Sequence, residues 1–206
     1  MNFPERYSEN EKKRYYGVAI GVVTNNKDPE SLGRVRLQFP WMSPSLESQW
    51  ARVATLMAGN DRGTYFLPEV GDEVLVSFHH GDIAQPYVIG ALWNSKDKPP
   101  EKNADGKNNT RIIKSKSGHQ IIFNDEQGSE RVELTTKSGN KVILDDSAGK
   151  EKLEIKDKTD RNSIIIDAVQ NSICISSMTK VSIQAQMIEI KAGSTLNLQG
   201  GIVKIN

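Results

Sequence analysis

The amino-acid sequence predicts an all-β chain in two parts, a small closed barrel followed by a repetitive region whose units each offer one narrow apolar edge. Three observations carry that prediction. Short runs of β-branched and aromatic residues recur along the chain, bounded by Gly, Pro, Asp and Asn, and no amphipathic helical run interrupts those of the first half. The decapeptide "KSGHQIIFND" (Lys116 to Asp125) is nearly repeated as "KSGNKVILDD" (Lys137 to Asp146) after about 21 residues, an interval that belongs to repeat architectures. Towards the C-terminus apolar residues come in pairs that flank a single residue.

Taken in order, residues 1–14 form a polar tail. The stretch "MNFPERYSENEKKRYY" has no apolar segment of the kind a secretory signal needs, and no run in the chain approaches membrane-spanning length. Synthesis in the cytoplasm is therefore expected. Residues 15–94 hold five strand-like runs, "YYGVAIGVVTN", "GRVRLQFP", "WARVATLM", "GDEVLVSFHHGD" and "PYVIGALWN". Five short alternating strands separated by Gly, Pro and Asp turns suit a closed barrel of the OB type. Between them and the repeats, "NSKDKPPEKNADGKNNT" offers almost nothing to bury, so residues 95–110 read as a polar linker.

Residues 111–206 hold the repeats. Each copy opens on a Lys-Ser-Gly turn, runs through an apolar triplet (Ile121, Ile122, Phe123; Val142, Ile143, Leu144), and closes on acidic residues. The turns "EQGSE" and "SAGKE" then lead into the alternating strands "RVELTT" and "KLEIKD", and a degraded third copy follows in "RNSIIIDAVQNSICISS". Beyond it the pairs Ile173 and Ile175, Val181 and Ile183, Ile188 and Ile190, Leu196 and Leu198, and Val203 and Ile205 take over. Members of a pair sit two residues apart and share one face of a strand, with polar residues on the other. Ordering each residue of backbone costs about 1–2 kcal/mol, which one such pair per unit does not offset. The units need neighbours, either further coils of their own chain or copies of the same edge from other chains.

Composition narrows the function. The formal net charge is +1, and residues 1–110 carry 13 Lys and Arg against 14 Asp and Glu, so no strong electrostatic partner is implied. An OB barrel binding single-stranded nucleic acid would use stacking aromatics (Tyr16, Phe39, Trp41, Trp50, Tyr65, Phe66) and cations (Arg34, Arg36, Arg52), but the charge balance argues against that reading. The single cysteine, Cys174, lies between two isoleucines and reads as a small strand residue. His79 and His80 sit at a strand end, where alternation sends them to opposite faces, and are not expected to hold a metal. The carboxylates of "NDEQGSE" and "LDDSAG" occupy turns, where Asp and Asn serve local backbone bonding, and read as structural rather than catalytic or calcium-binding. With no phosphate loop, no Cys-x-x-Cys pair and no nucleophile elbow, neither enzymatic activity nor a cofactor is expected.

Four blocks carry a family resemblance. "SLGRVRLQFPW" (Ser31 to Trp41), "WARVATLMAG" (Trp50 to Gly59), "GTYFLPEVGDEVLVSF" (Gly63 to Phe78) and "GDIAQPYVIGALWN" (Gly81 to Asn94) resemble, in order and spacing, the OB domain of the VgrG and phage baseplate assembly protein V family. "SGHQIIFNDEQGSERVELTT" resembles the opening of that family's β-helix. The resemblance implies a homotrimeric central spike of a contractile injection machine, in which three OB barrels precede an intertwined triple-stranded β-helix. It implies that Ile173, Ile175, Val181, Ile183, Ile188, Ile190, Leu196, Leu198, Val203 and Ile205 form the trimer core. A separate hub protein is expected at the OB end, because the chain reaches its barrel within about fifteen residues. No histidine lies near the C-terminal "GGIVKIN", so an apical metal is not expected, and the resemblance implies instead a separate tip of the PAAR type on Gly201, Ile202, Val203, Lys204, Ile205 and Asn206. Contact with a target membrane would be transient. A trimeric β-helical fibre or adhesin, and a monomeric parallel β-helix with coils of about 21 residues, are the alternatives. The barrel blocks discriminate against the first and a mass measurement against the second.

Overall fold

A computed structural model of the protein describes residues 14–43 and 45–204. The predicted 1–14 tail, apart from Arg14, and Ile205 and Asn206 lie outside the described residues. The chain is all-β apart from one 3-10 turn, and it divides into two compact units, one ending at Pro99 and the other beginning at Pro100. No helix among the described residues is long and apolar enough to cross a membrane.

In the first unit the five expected runs pair into one sheet. Its strands are β1 (Ala19–Asn25), β2 (Arg36–Gln38), β3 (Arg52–Val53), β6 (Glu73–Phe78) and β7 (Pro86–Ala91), in the order β2-β1-β6-β7-β3. All neighbours are antiparallel except β3 and β7, which are parallel. A bridge between Val35 and Ala51 joins the two ends of that order, so the sheet closes on itself with the connectivity of an OB barrel. A separate hairpin, β4 (Ala58–Gly59) and β5 (Arg62–Gly63), lies in the connection between β3 and β6.

Alternation along these strands builds the core. Val74, Val76 and Phe78 of β6 point inward and meet Val23, Val35, Leu37, Phe39, Ala51 and Val88, all buried. Phe39 stacks against Phe78 and Trp41 at centroid distances of 5.6 Å each. A Cβ at Gly21 would lie 3.2 Å from Val76, so β1 carries glycine where it passes closest to β6. The loop between β1 and β2 is organised by the Asp28 carboxylate, which accepts from the backbone N–H groups of Glu30 and Leu32 and from the Arg34 guanidinium at 2.7 and 2.9 Å. His79 and His80 do not continue β6 with alternating directions. The chain turns through His79–Gly81 with His80 at φ 46°, which brings the two rings to 4.4 Å in an edge-to-face contact.

The second unit is a seven-stranded antiparallel meander: β8 (Thr110–Lys114), β9 (Gln120–Asn124), β10 (Arg131–Thr135), β11 (Lys141–Asp145), β12 (Lys152–Lys156), β13 (Ser163–Asp167) and β14 (Ser172–Ser176). Each strand pairs with the next across all five residues without a bulge. The repeat of about 21 residues is therefore a two-strand unit and not a coil, which overturns the monomeric parallel β-helix. Left-handed backbone recurs at equivalent turn positions: Gly118, Gly139 and Asp160 on one edge, Gly128, Gly149 and Asn171 on the other. The degraded third copy has exchanged glycine for the two side chains that tolerate this conformation best. From residue 177 to 204 no strand is paired within the chain, and every described residue is exposed.

Candidate functional site

Five-residue strands with a period of two give the meander two unlike faces. On one, each of the middle strands contributes its second and fourth residues, and the register places them in two columns. One column runs Ile121, Leu134, Val142, Ile155, Ile164, Ile175, and the other Phe123, Val132, Leu144, Leu153, Ile166, Ile173. Ile121 is half-buried, and the others range from Val132 at 36% exposed to Ile173 at 71%, most of them at about 40–50%. A contiguous apolar surface of this kind marks an interaction site.

The opposite face is mixed: its middle column runs Ile122, Glu133, Ile143, Glu154, Ile165, Cys174, flanked by polar and charged residues. Glu154, only 4% exposed, lies between Lys152 Nζ at 2.8 Å and Lys156 Nζ at 2.7 Å. Burial alone would raise its pKa, but the two ammonium groups outweigh that effect and hold the carboxyl below its ordinary value. Lys152 is correspondingly pushed up by its hydrogen bond to Glu154. On β10, Glu133 accepts from the Thr135 hydroxyl at 2.6 Å and lies 3.7 Å from Arg131. A face that pairs its own charges can stand in water, whereas the apolar face gains from leaving it.

The turns are stitched along the edge that follows β8, β10 and β12. In each, the first residue (Ser115, Thr136, Asp157) accepts from the backbone N–H of the last (His119, Asn140, Asn162). That last residue then accepts from the next turn, at Lys137 N (3.3 Å), Lys158 N (2.9 Å) and Met178 N (3.1 Å). Successive hairpins are thus held in register by side chains as well as by the ladder.

Of the residues expected in the core, Ile173 and Ile175 lie on β14 and close the two columns. Val181, Ile183, Ile188, Ile190, Leu196, Leu198 and Val203 lie beyond the last strand and are each more than half exposed. Ile202 of the expected tip-binding end is 81% exposed. None of the ten column residues from Ile121 to Ile166 is among those expected in the trimer core, although Ile121, Phe123, Val142 and Leu144 belong to the apolar triplets. Their signal was present in "RVELTT" and "KLEIKD", whose pairs Val132/Leu134 and Leu153/Ile155 have the spacing of the later pairs. In the triplets of β9, β11 and β13 the apolar middle residue conceals which face is open.

Of the aromatics a single-strand groove would use, Tyr16, Trp41, Tyr65 and Phe66 are exposed. Phe39 is buried in the core, Arg34 is bound by Asp28 and Glu30, and Arg36 by Glu47 at 3.1 Å. Arg34 and Arg36 also lie over the Trp50 ring, at 5.9 and 5.1 Å. Both guanidiniums are thus engaged inside the domain, whereas Arg52 is exposed. Residues 19–93 match the family described as the Type VI secretion system/phage-baseplate injector OB domain. The first unit is an injector OB domain. Its resemblance to VgrG extends further along the chain. The chain is 33% identical over 137 residues to the Type VI secretion system spike protein VgrG3 of Vibrio cholerae, and 34% identical over 139 residues to VgrG4b of Pseudomonas aeruginosa. Each match covers 60% of this chain, more than the injector OB domain alone. The actin cross-linking toxin VgrG1 of Vibrio cholerae is 32% identical over 112 residues. The chain spans only 13%, 17% and 10% of these relatives respectively.

Proposed function

We propose that the chain is the central spike of a contractile injection machine, and that it trimerises by turning the apolar face of its meander onto a common axis. The open two-column face carries this reading. A five-residue strand is about 17 Å long, and packed sheets lie about 10 Å apart. Three such sheets closing a triangle each sit about 5 Å from the axis, half the packing distance, so their side chains meet and fill the middle. Two sheets would form a sandwich with open edges, and four would leave a gap along the axis. Strand length thus selects three.

Residues 177–206 continue the axis. Their pairs keep the two-residue spacing, and those among the described residues to 204 find no partner strand within the chain, as befits strands that pair between chains in an intertwined triple β-helix. The apolar residues near the end, Ile202 and Val203, would form a last layer that a separate conical tip of the PAAR type covers, and a separate hub would hold the OB end. The role is structural rather than enzymatic, and the spike works inside an assembled injection particle with only passing contact with the target membrane. The injector OB domain supports this reading over an adhesin, which has no use for one. Mass measured by light scattering tests it: a trimer is expected, and a monomer at micromolar concentration would end the proposal.

A further inference from the structure

The two long edges of the meander carry opposite charge. Three turns project from the edge that follows β8, β10 and β12, bearing Lys116, Lys137 and Lys158, with Lys114 and Lys141 at the adjoining strand ends. The turns of the other edge bear Glu126, Glu130, Asp146 and Glu151 against a single lysine, Lys150, together with Asp125, which is paired with Arg111 of the same chain. Each edge also holds a counter-charge, Lys150 on the acidic one and Asp160 on the basic one, but the others are engaged within the chain. At the acidic edge Arg131 and Lys152 pair with Glu133 and Glu154 on the charged face. At the basic edge Asp157 is occupied in its own turn by Thr159 and Asn162. The edges are also staggered, because in a meander each turn on one side falls one strand spacing from the turns on the other.

We propose that these edges are complementary seams, the basic turns of one copy docking between the acidic turns of the next, so that charge sets all copies parallel. With the apolar face inward, rotating a copy about the axis brings its basic edge against its neighbour's acidic edge, at a height where the turns interdigitate. An inverted copy would set basic against basic and acidic against acidic. Head-to-tail edges of this kind build a closed ring when the rotation closes. The apolar columns alone do not choose between parallel and inverted copies, since they are apolar from either direction. The seams make that choice, and like-charge juxtaposition excludes the wrong arrangement.

The inference rests on the trimeric reading, and the experiment separates the two. The full chain is compared with a basic-edge reversal (Lys137→Glu with Lys158→Glu), an acidic-edge reversal (Glu126→Lys with Asp146→Lys) and all four substitutions together. Mass is measured by light scattering, β content by circular dichroism, and the urea midpoint of trimer dissociation at low salt and at about 1 M salt, where the screening length falls to about 3 Å. Each single-edge reversal is expected to raise the dissociation constant at low salt by at least about tenfold and to recover as salt is added, while the wild type weakens with salt. The fourfold variant, which restores opposite charge between the altered turns of neighbouring copies, is expected to regain wild-type mass and a loss of stability with added salt. Because it contains every substitution of the other two, its recovery excludes a folding defect as their cause. Single-edge reversals indistinguishable from a trimeric wild type, or a fourfold variant no better than either pair, would overturn the seams and leave the trimer standing. A monomeric wild type would overturn both.

Discussion

Single side chains on the proposed axis matter because an error there is made three times. Ile183 is 69% exposed in the single chain and reads as an axial residue, so Ile183→Asp would bring three carboxylates together without partners. Burying unpaired charge costs several kcal/mol per group, and loss of the trimer is expected by light scattering. Gln184→Asp, on the outward side of the same segment, should leave mass and stability unchanged. In the barrel, the Arg34 guanidinium holds the Asp28 carboxyl well below its ordinary 3.8, against the opposing effect of burial. A depressed carboxylate contributes stability that is fully present above about pH 4 and is lost as pH falls towards the folded-state value. Asp28→Asn should therefore destabilise the barrel at neutral pH and flatten its acid-induced loss below about pH 4, read as melting temperature against pH. A steep acid dependence unchanged in the variant would show that other carboxylates set it.

At the scale of the element, the edge turns allow a graded test of backbone conformation. Gly139 sits at φ 96°, and the equivalent third-copy residue is Asp160 at φ 58°. Gly139→Asn is expected to be tolerated, whereas Gly139→Val should cost about 1–2 kcal/mol for each chain, measured by urea denaturation. Equal cost for the two would mean that space rather than dihedral angle restricts the site. The same turns show what the sequence could convey. Lys-Ser-Gly followed by β-branched residues is enough to locate β9 to β12, because turn chemistry and alternation are local properties, whereas β8 follows no such turn and went unread. Whether a repeat is a coil or a hairpin depends on which strand pairs with which, and "KSGNKVILDD" is compatible with either. The five strands of the barrel sheet were legible, because its apolar faces are filled by the same chain, but the β4–β5 hairpin and the turn at His79–Gly81 were not. The column of Leu134, Val142 and Ile155 was less so, since its partners are not written into the spacing of any one strand.

The assembly as a whole has two ends with different requirements. If the pairs from Val181 onward intertwine between chains, the last layer at Ile202 and Val203 presents an apolar cross-section and unpaired strand groups, both of which favour a cover. A PAAR-type tip protein is expected to bind at one copy per three chains. Removing Gly201 to Asn206 should weaken that binding without dissolving the trimer, because the columns between Ile121 and Ile175 remain. Titration calorimetry gives the stoichiometry and affinity, and full tip affinity in the shortened chain would place the tip contact elsewhere.

The two-strand unit restricts how such a shaft can change length. Removing a single strand and one turn would reverse the direction of everything that follows, carry each later turn to the opposite corner and exchange its lysines for carboxylates along the whole downstream boundary. Insertion or loss of a complete unit of about 21 residues avoids this, adding or removing two strands and about 10 Å of height while leaving every corner as it was. Shafts of this construction can therefore be expected to differ in reach by whole multiples of that step. A chain with Lys137–Asp157 duplicated in tandem should form a longer trimer, whereas duplication of half a unit should not assemble.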